Sequence, residues 1–136
     1  MLTTTLIPMG ETANDTIKIA LIDDDASVRS GVSRLLRSHN YACTAYESAE
    51  SALADPGLLG MHCLVVDVQL SGMSGFALRD RLLRNGVSVP CLFITAHAET
   101  ASADWIRSLG PNPCVIKPFD ESQLLTAIDS LLDHHN

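Results

Sequence analysis

Aromatic side chains are scarce in this chain: three Phe, two Tyr and one Trp, 4% of the residues. A core must therefore be filled by Leu, Ile, Val and Ala. Basic side chains are also few. Nine Lys and Arg face sixteen Asp and Glu, for a formal net charge of −7. An acidic surface repels phosphate backbones, so direct nucleic-acid binding by this segment is disfavoured. There is no CxxC pair. Cys43, Cys63, Cys91 and Cys114 stand 20 residues apart or more, each in or beside an apolar run, as suits small buried hydrophobes in a reducing compartment. No run approaches the roughly 18 apolar residues of a membrane span. The opening MLTTTLIPMGETANDT lacks the basic region and apolar stretch of a secretory signal. The expected location is the cytoplasm.

The chain has 136 residues, 46% of them apolar, which is enough for one domain with a real core. Residues 1–16, rich in Thr and carrying Pro8 and Gly10, read as a mobile leader, and residues 17–134 as the folded domain. From Ile17, short apolar runs alternate with amphipathic stretches. Strands are expected at Ile17–Ile22, Tyr41–Ala45, Cys63–Val66, Cys91–Ile94 and Cys114–Ile116. Helices are expected at Ala26–Ser38, Ser48–Ala54, Phe76–Asn85, Glu99–Leu109 and Asp120–Leu132, with Asp25, Ser48 and Asp120 as caps. Phe76, Leu78, Leu82 and Leu83 should face inward. Continuously apolar strands between helices indicate a doubly wound α/β domain with a parallel sheet.

In such sheets the functional crevice lies at the carboxyl ends of the strands. Asp23, Asp24 and Asp25 follow the first strand, Asp67 the third, Thr95 the fourth and Lys117 the fifth. Glu47 follows the second, which should lie at the sheet edge. A lone Asp after a strand is ordinarily a turn or helix cap, and Asp25 fits that role. Several carboxylates in one crevice repel one another and need positive charge nearby. Lys117 supplies one unit. A hard divalent cation such as Mg²⁺, which keeps waters and takes one or two carboxylates, would supply two more. A carboxylate beside a cation, an ammonium and a hydroxyl is equipped to receive a phosphoryl group.

The stretches LIDDDASVR, LVVDVQLSGMSGF, FITAH and IKPFDESQLLTAI closely resemble the receiver domain of two-component response regulators, in its FixJ-like branch, over about Ile17 to Leu132. The resemblance implies a flavodoxin-like (βα)5 fold with strand order 2-1-3-4-5. It implies that Asp67 is the phosphoacceptor, and that Asp24, Asp67, the backbone carbonyl of Gln69 and, mostly through water, Asp23 hold Mg²⁺, with Mn²⁺ as a substitute. Thr95 and Lys117 would bind the phosphoryl group, and Gln69 and His97 would tune dephosphorylation. The implied donor is a sensor histidine kinase or phosphotransfer protein, and a receiver homodimer is an implied assembly. The protein would be a signalling module rather than an enzyme. The Lys117–Pro118 peptide would be cis.

The chain departs from the family at Ser71, where proline is usual, and at Cys114, where a switch aromatic is usual. It departs also at Pro111, and Trp105 is the sole tryptophan. Trp105 and Cys114 are candidates for an altered output surface. The chain ends in LLDHHN, so no linker or helix-turn-helix output domain is expected in it. Two other readings compete. One is an aspartate-based phosphohydrolase of the haloacid dehalogenase type, with Asp23 and Asp25 as nucleophile and acid/base. That enzyme needs a further acidic pair after another strand, and only Asp120 and Glu121 follow. The other is a pseudo-receiver that binds partners without phosphorylation, against which the full set of site residues argues.

Overall fold

The structure, a computed structural model, describes residues 16–96 and 103–134. All but the last residue of the expected leader, together with His97, lies outside the described residues. Five strands, β1 (Lys18–Ile22), β2 (Ala42–Tyr46), β3 (Cys63–Asp67), β4 (Cys91–Thr95) and β5 (Cys114–Ile116), alternate with helices α1 (Ala26–Ser38), α2 (Ala49–Leu53), α3 (Gly75–Arg84), α4 (Ala103–Leu109) and α5 (Glu121–His134). All strand pairs are parallel and the order is β2-β1-β3-β4-β5. This is the doubly wound sheet and order expected.

Side chains of a strand alternate between faces, and here each face has its own core. Ile19, Leu21, Cys63, Val65, Leu92 and Ile94 pack with Val32 and Leu36 of α1 and Leu124 and Ile128 of α5. Ala20, Ile22, Leu64, Val66, Cys91 and Phe93 pack on the other face with Ala49, Ala52, Leu78 and Leu82 of α2 and α3. Every residue of β3 and β4 is buried. The edge strand β2 is mostly exposed, as its place at the end of the sheet order allows.

Local signals set the helix starts. Asp25 caps α1 by accepting from the Ser27 N–H at 2.8 Å. Ser48 and Ser51 form a reciprocal capping box on α2, and Asp120 and Gln123 exchange two 2.8 Å bonds at the head of α5. Several boundaries differ from expectation. Tyr41 is not in β2, because its N–H closes the end of α1 on the Leu36 carbonyl at 3.1 Å after the left-handed Asn40 (φ 69°). Strands β3 and β4 each run one residue further, to Asp67 and Thr95. A 3-10 turn at Pro56–Gly60 follows α2. Leu83 is exposed (50%) rather than inward, since one residue past the buried Leu82 is a step of about 100° around the helix. Cys63 and Cys91 are buried, whereas Cys43 and Cys114 are half-buried. Burial pushes the thiols of Cys63 and Cys91 up to about 12, so both stay protonated. The Lys117–Pro118 peptide is cis, as the resemblance implied. No helix among the described residues is long and apolar enough to cross a membrane.

Candidate functional site

The central strands deliver their last residues to one edge of the sheet. Asp67 ends β3 opposite Ile94 of β4, so Asp67 and Thr95 emerge on neighbouring strands, and Thr95 pairs in turn with Ile116, just before Lys117. The backbone N–H of Lys117 donates to the Thr95 carbonyl at 2.8 Å, which fixes where the lysine leaves the sheet. Asp23 follows β1 and donates its own N–H to the Tyr46 carbonyl at 3.1 Å.

Side chains then converge. Lys117 Nζ donates to Asp67 Oδ2 at 2.8 Å and lies 3.1 Å from Asp23 Oδ2. Asp67, 5% exposed, takes a second bond on Oδ1 from the Gln69 N–H at 2.8 Å. Asp23 is fully buried, and its Oδ1 accepts from the Asp25 N–H at 2.9 Å. The Arg29 guanidinium clamps the Asp23 carbonyl at 2.8 Å. Asp24 is exposed, with the Ser71 hydroxyl 3.4 Å from its Oδ2. Thr95 is fully buried, and its hydroxyl donates to Gln69 Oε1 at 3.0 Å.

The electrostatics follow from burial and proximity. Burial pushes the Asp23 carboxyl above the usual range, opposed by the bond from Asp25 and the contact with Lys117, and aided by the charge on Asp67. Burial likewise works against the charge on Lys117, but the carboxylates of Asp67 and Asp23 outweigh it, and the ammonium is held more firmly than in water. Three carboxylates and one ammonium leave a deficit of two positive charges. Asp23, Asp24 and Asp67 each offer an oxygen within 4.8 Å of the others. Asp23 Oδ2 is buried and, among the described residues, has no hydrogen bond, only the ion pair with Lys117. An all-oxygen donor set with one underused buried oxygen and that charge deficit fits a hard divalent cation.

The loop after Asp67 is shaped by close contacts. Gly75, at the first turn of α3, leaves no room for a side chain, since a Cβ there would lie 2.5 Å from the Asp67 carbonyl oxygen. Gly72 adopts φ +80° against the Glu50 carboxylate of α2, which accepts from the Met73 N–H at 2.9 Å. That bond holds the Glu50 carboxyl below its ordinary value.

The structure thus brings together Asp23, Asp24, Asp67, Gln69, Thr95 and Lys117. It separates Asp25, which is turned to cap α1. Cys114 pairs with Phe93, two residues back from Thr95 along the sheet, and Trp105 stacks edge-on against Phe76 at 5.7 Å. Both border the core on the α3 side and neither joins the acidic cluster. Arg29 and Glu50 escaped the sequence reading. Arg29 follows Asp25 at a spacing that any solvated helix arginine shares. Glu50 meets its loop across 23 residues of sequence, with no local signal to mark it.

A parallel sheet in this order, with an acidic cluster and a lysine at its carboxyl edge, defines a class, and the model of the response regulator receiver domain matches residues 19–129. The chain belongs to that family and is the receiver domain of a response regulator. It is 34% identical over 114 residues to the response regulator protein TmoT of Ectopseudomonas mendocina, covering 84% of this chain and 52% of TmoT. It is 32% identical over 119 residues to the transcriptional regulatory protein FixJ of Azorhizobium caulinodans, covering 87% of this chain and 56% of FixJ. Among solved structures, the response regulator StyR matches with a TM-score of 0.76 and 33% identity, over 88% of this chain and 60% of StyR. The chain therefore spans about half the length of the curated relatives it matches.

Proposed function

We propose that Asp67 accepts a phosphoryl group from the phosphohistidine of a sensor histidine kinase or phosphotransfer protein. The carrying observation is the position of Lys117 Nζ, 2.8 Å from Asp67 and 3.1 Å from Asp23, inside a cluster that fits a divalent cation. A carboxylate oxygen of Asp67 attacks phosphorus. The O–P bond forms and the N–P bond breaks. The electron pair stays on the departing imidazole nitrogen, which takes a proton. Mg²⁺, or Mn²⁺ in its place, held by Asp23, Asp24, Asp67 and the Gln69 carbonyl, would neutralise charge on the transferring group. Lys117 stays to balance the added charge, and the Thr95 hydroxyl is the nearby donor that can turn to a new oxygen. Gln69 and His97 would set how fast the acyl phosphate hydrolyses. The switched surface would lie around α4 and β5, with Trp105 and Cys114, and act by protein contact, including with a second receiver copy. The module works in the cytoplasm. FixJ is by name a transcriptional regulator, and a transcriptional role is the corresponding reading here, exerted through parts beyond this domain.

The hydrolase reading is less well supported, because one oxygen of the Asp25 carboxylate caps α1. The test is mass spectrometry after incubation with acetyl phosphate and Mg²⁺. The expected gain is a single phosphoryl group, about 80 Da, lost in Asp67→Asn. Turnover of a small phosphate ester that depends on Asp23 would instead support the hydrolase.

A further inference from the structure

Gln69 holds two site residues at once. Its backbone N–H donates to Asp67 Oδ1 at 2.8 Å, and its side-chain Oε1 accepts from the Thr95 hydroxyl at 3.0 Å. Thr95 is fully buried at the end of β4, whereas Gln69 is exposed on the loop. A hydroxyl carries one proton to donate. While that proton points at Gln69 it cannot point at an oxygen added to Asp67.

We propose that the Gln69 side chain is a latch on Thr95. It keeps the hydroxyl engaged with a neutral amide until a phosphoryl group arrives, and so sets how readily the domain takes up its phosphorylated arrangement. The inference rests on Asp67 being the phosphoacceptor, and it assigns Gln69 a positioning role separate from any effect on hydrolysis. The energetics favour a latch of this kind. A bond to a charged phosphoryl oxygen is roughly twice as strong as one to a neutral amide, so the hydroxyl transfers when phosphate is present. The amide bond must still be given up, and that lowers phosphoryl affinity by the worth of one ordinary hydrogen bond. Because Gln69 is exposed, its released amide is solvated at once by water, and no buried polar group is stranded.

Two measurements test the latch. The first needs no phosphate: side-chain couplings of Thr95 by NMR in the untreated protein. Wild type should show one fixed χ1 rotamer, and Gln69→Leu, similar in size but without the acceptor, should show a changed set of Thr95 χ1 couplings. An unchanged Thr95 rotamer in Gln69→Leu overturns the latch. The second is titration with beryllofluoride at saturating Mg²⁺, a phosphoryl mimic bound at equilibrium and therefore blind to hydrolysis. Gln69→Leu should bind it roughly three- to ten-fold more tightly than wild type. That gain should vanish in the Thr95→Val background, where there is no hydroxyl to release. An equal gain with and without the Thr95 hydroxyl contradicts the latch. If wild type takes up no beryllofluoride while Thr95 still responds to Gln69→Leu, the phosphoacceptor reading fails and the contact stands.

Discussion

Lys117 and the carboxylates around it show how few side chains make this site. One ammonium faces two buried acids, and a third acid, Asp24, stands exposed at the rim. The charge deficit predicts linkage to a cation. Thermal stability should rise with free Mg²⁺, by about 1.4 kcal/mol for each ten-fold excess over the dissociation constant, and Asp24→Asn should remove most of that dependence. Melting curves across an Mg²⁺ series check this, and a flat wild-type series would exclude the site. Asp23, Asp67, Thr95 and Lys117 were legible in the sequence because each is the polar residue that ends an apolar run. The bond between Gln69 and Thr95 was not, because it joins a loop to the end of a strand 26 residues away and depends on backbone geometry.

Among the elements, α3 and the loop before it are fitted to the acceptor strand most tightly. Ser74 caps α3 by accepting from the Ala77 N–H at 3.1 Å, and Gly75 then passes against the Asp67 carbonyl. A methyl group at Gly75 meets backbone, which cannot rotate away. Gly75→Ala should therefore destabilise the fold by roughly 1–3 kcal/mol, as overpacking does, and should shift the amide resonances of Asp67 and Gln69. Urea denaturation and NMR check the two halves. The middle of α3 is tied to α4. The Arg79 guanidinium donates to the Ser108 carbonyl at 2.7 Å and stacks 5.6 Å over the Phe93 ring. Helix periodicity made α1, α3 and α5 readable. It misjudged Leu83, because a stripe of four apolar positions does not resolve which flank turns to solvent. The shift of β2 by one residue came from Tyr41, whose β-forming side chain hides that its N–H serves the preceding helix.

At the scale of the whole molecule, the two cores hold one five-stranded sheet between helices, and polar anchors tie the periphery to it. Both tyrosines are such anchors. Tyr41 donates to Asp129 at 2.8 Å and Tyr46 to Asp55 at 2.7 Å. Burial, then the acceptor carboxylates, push both phenols up to about 12. A raised folded pKa means that the stabilisation is fully present below the unfolded value of 10.0 and is lost as pH rises toward about 12. Tyrosinate absorbance of the folded protein should lag that of the unfolded chain over this window, with unfolding free energy falling across it. Tyr46→Phe should also release Asp55, which that bond and the Gly57 N–H hold below its ordinary value. A folded protein titrating near pH 10 would contradict the two anchors. The layer arrangement was legible, because strands buried on both faces must be continuously apolar, whereas the strand order came only from the family resemblance. The Glu50 and Arg79 ties were not legible, since their partners are backbone atoms brought near only by the finished fold.

The central claim is that Asp67 is the residue phosphorylated. Borohydride reduces an acyl phosphate to an alcohol, so treating the phosphorylated protein should convert one aspartate to homoserine. Peptide mass spectrometry after reduction should find homoserine at position 67 alone. Homoserine at Asp23 or Asp24, or a stable phosphate on another residue with position 67 unchanged, would contradict the account.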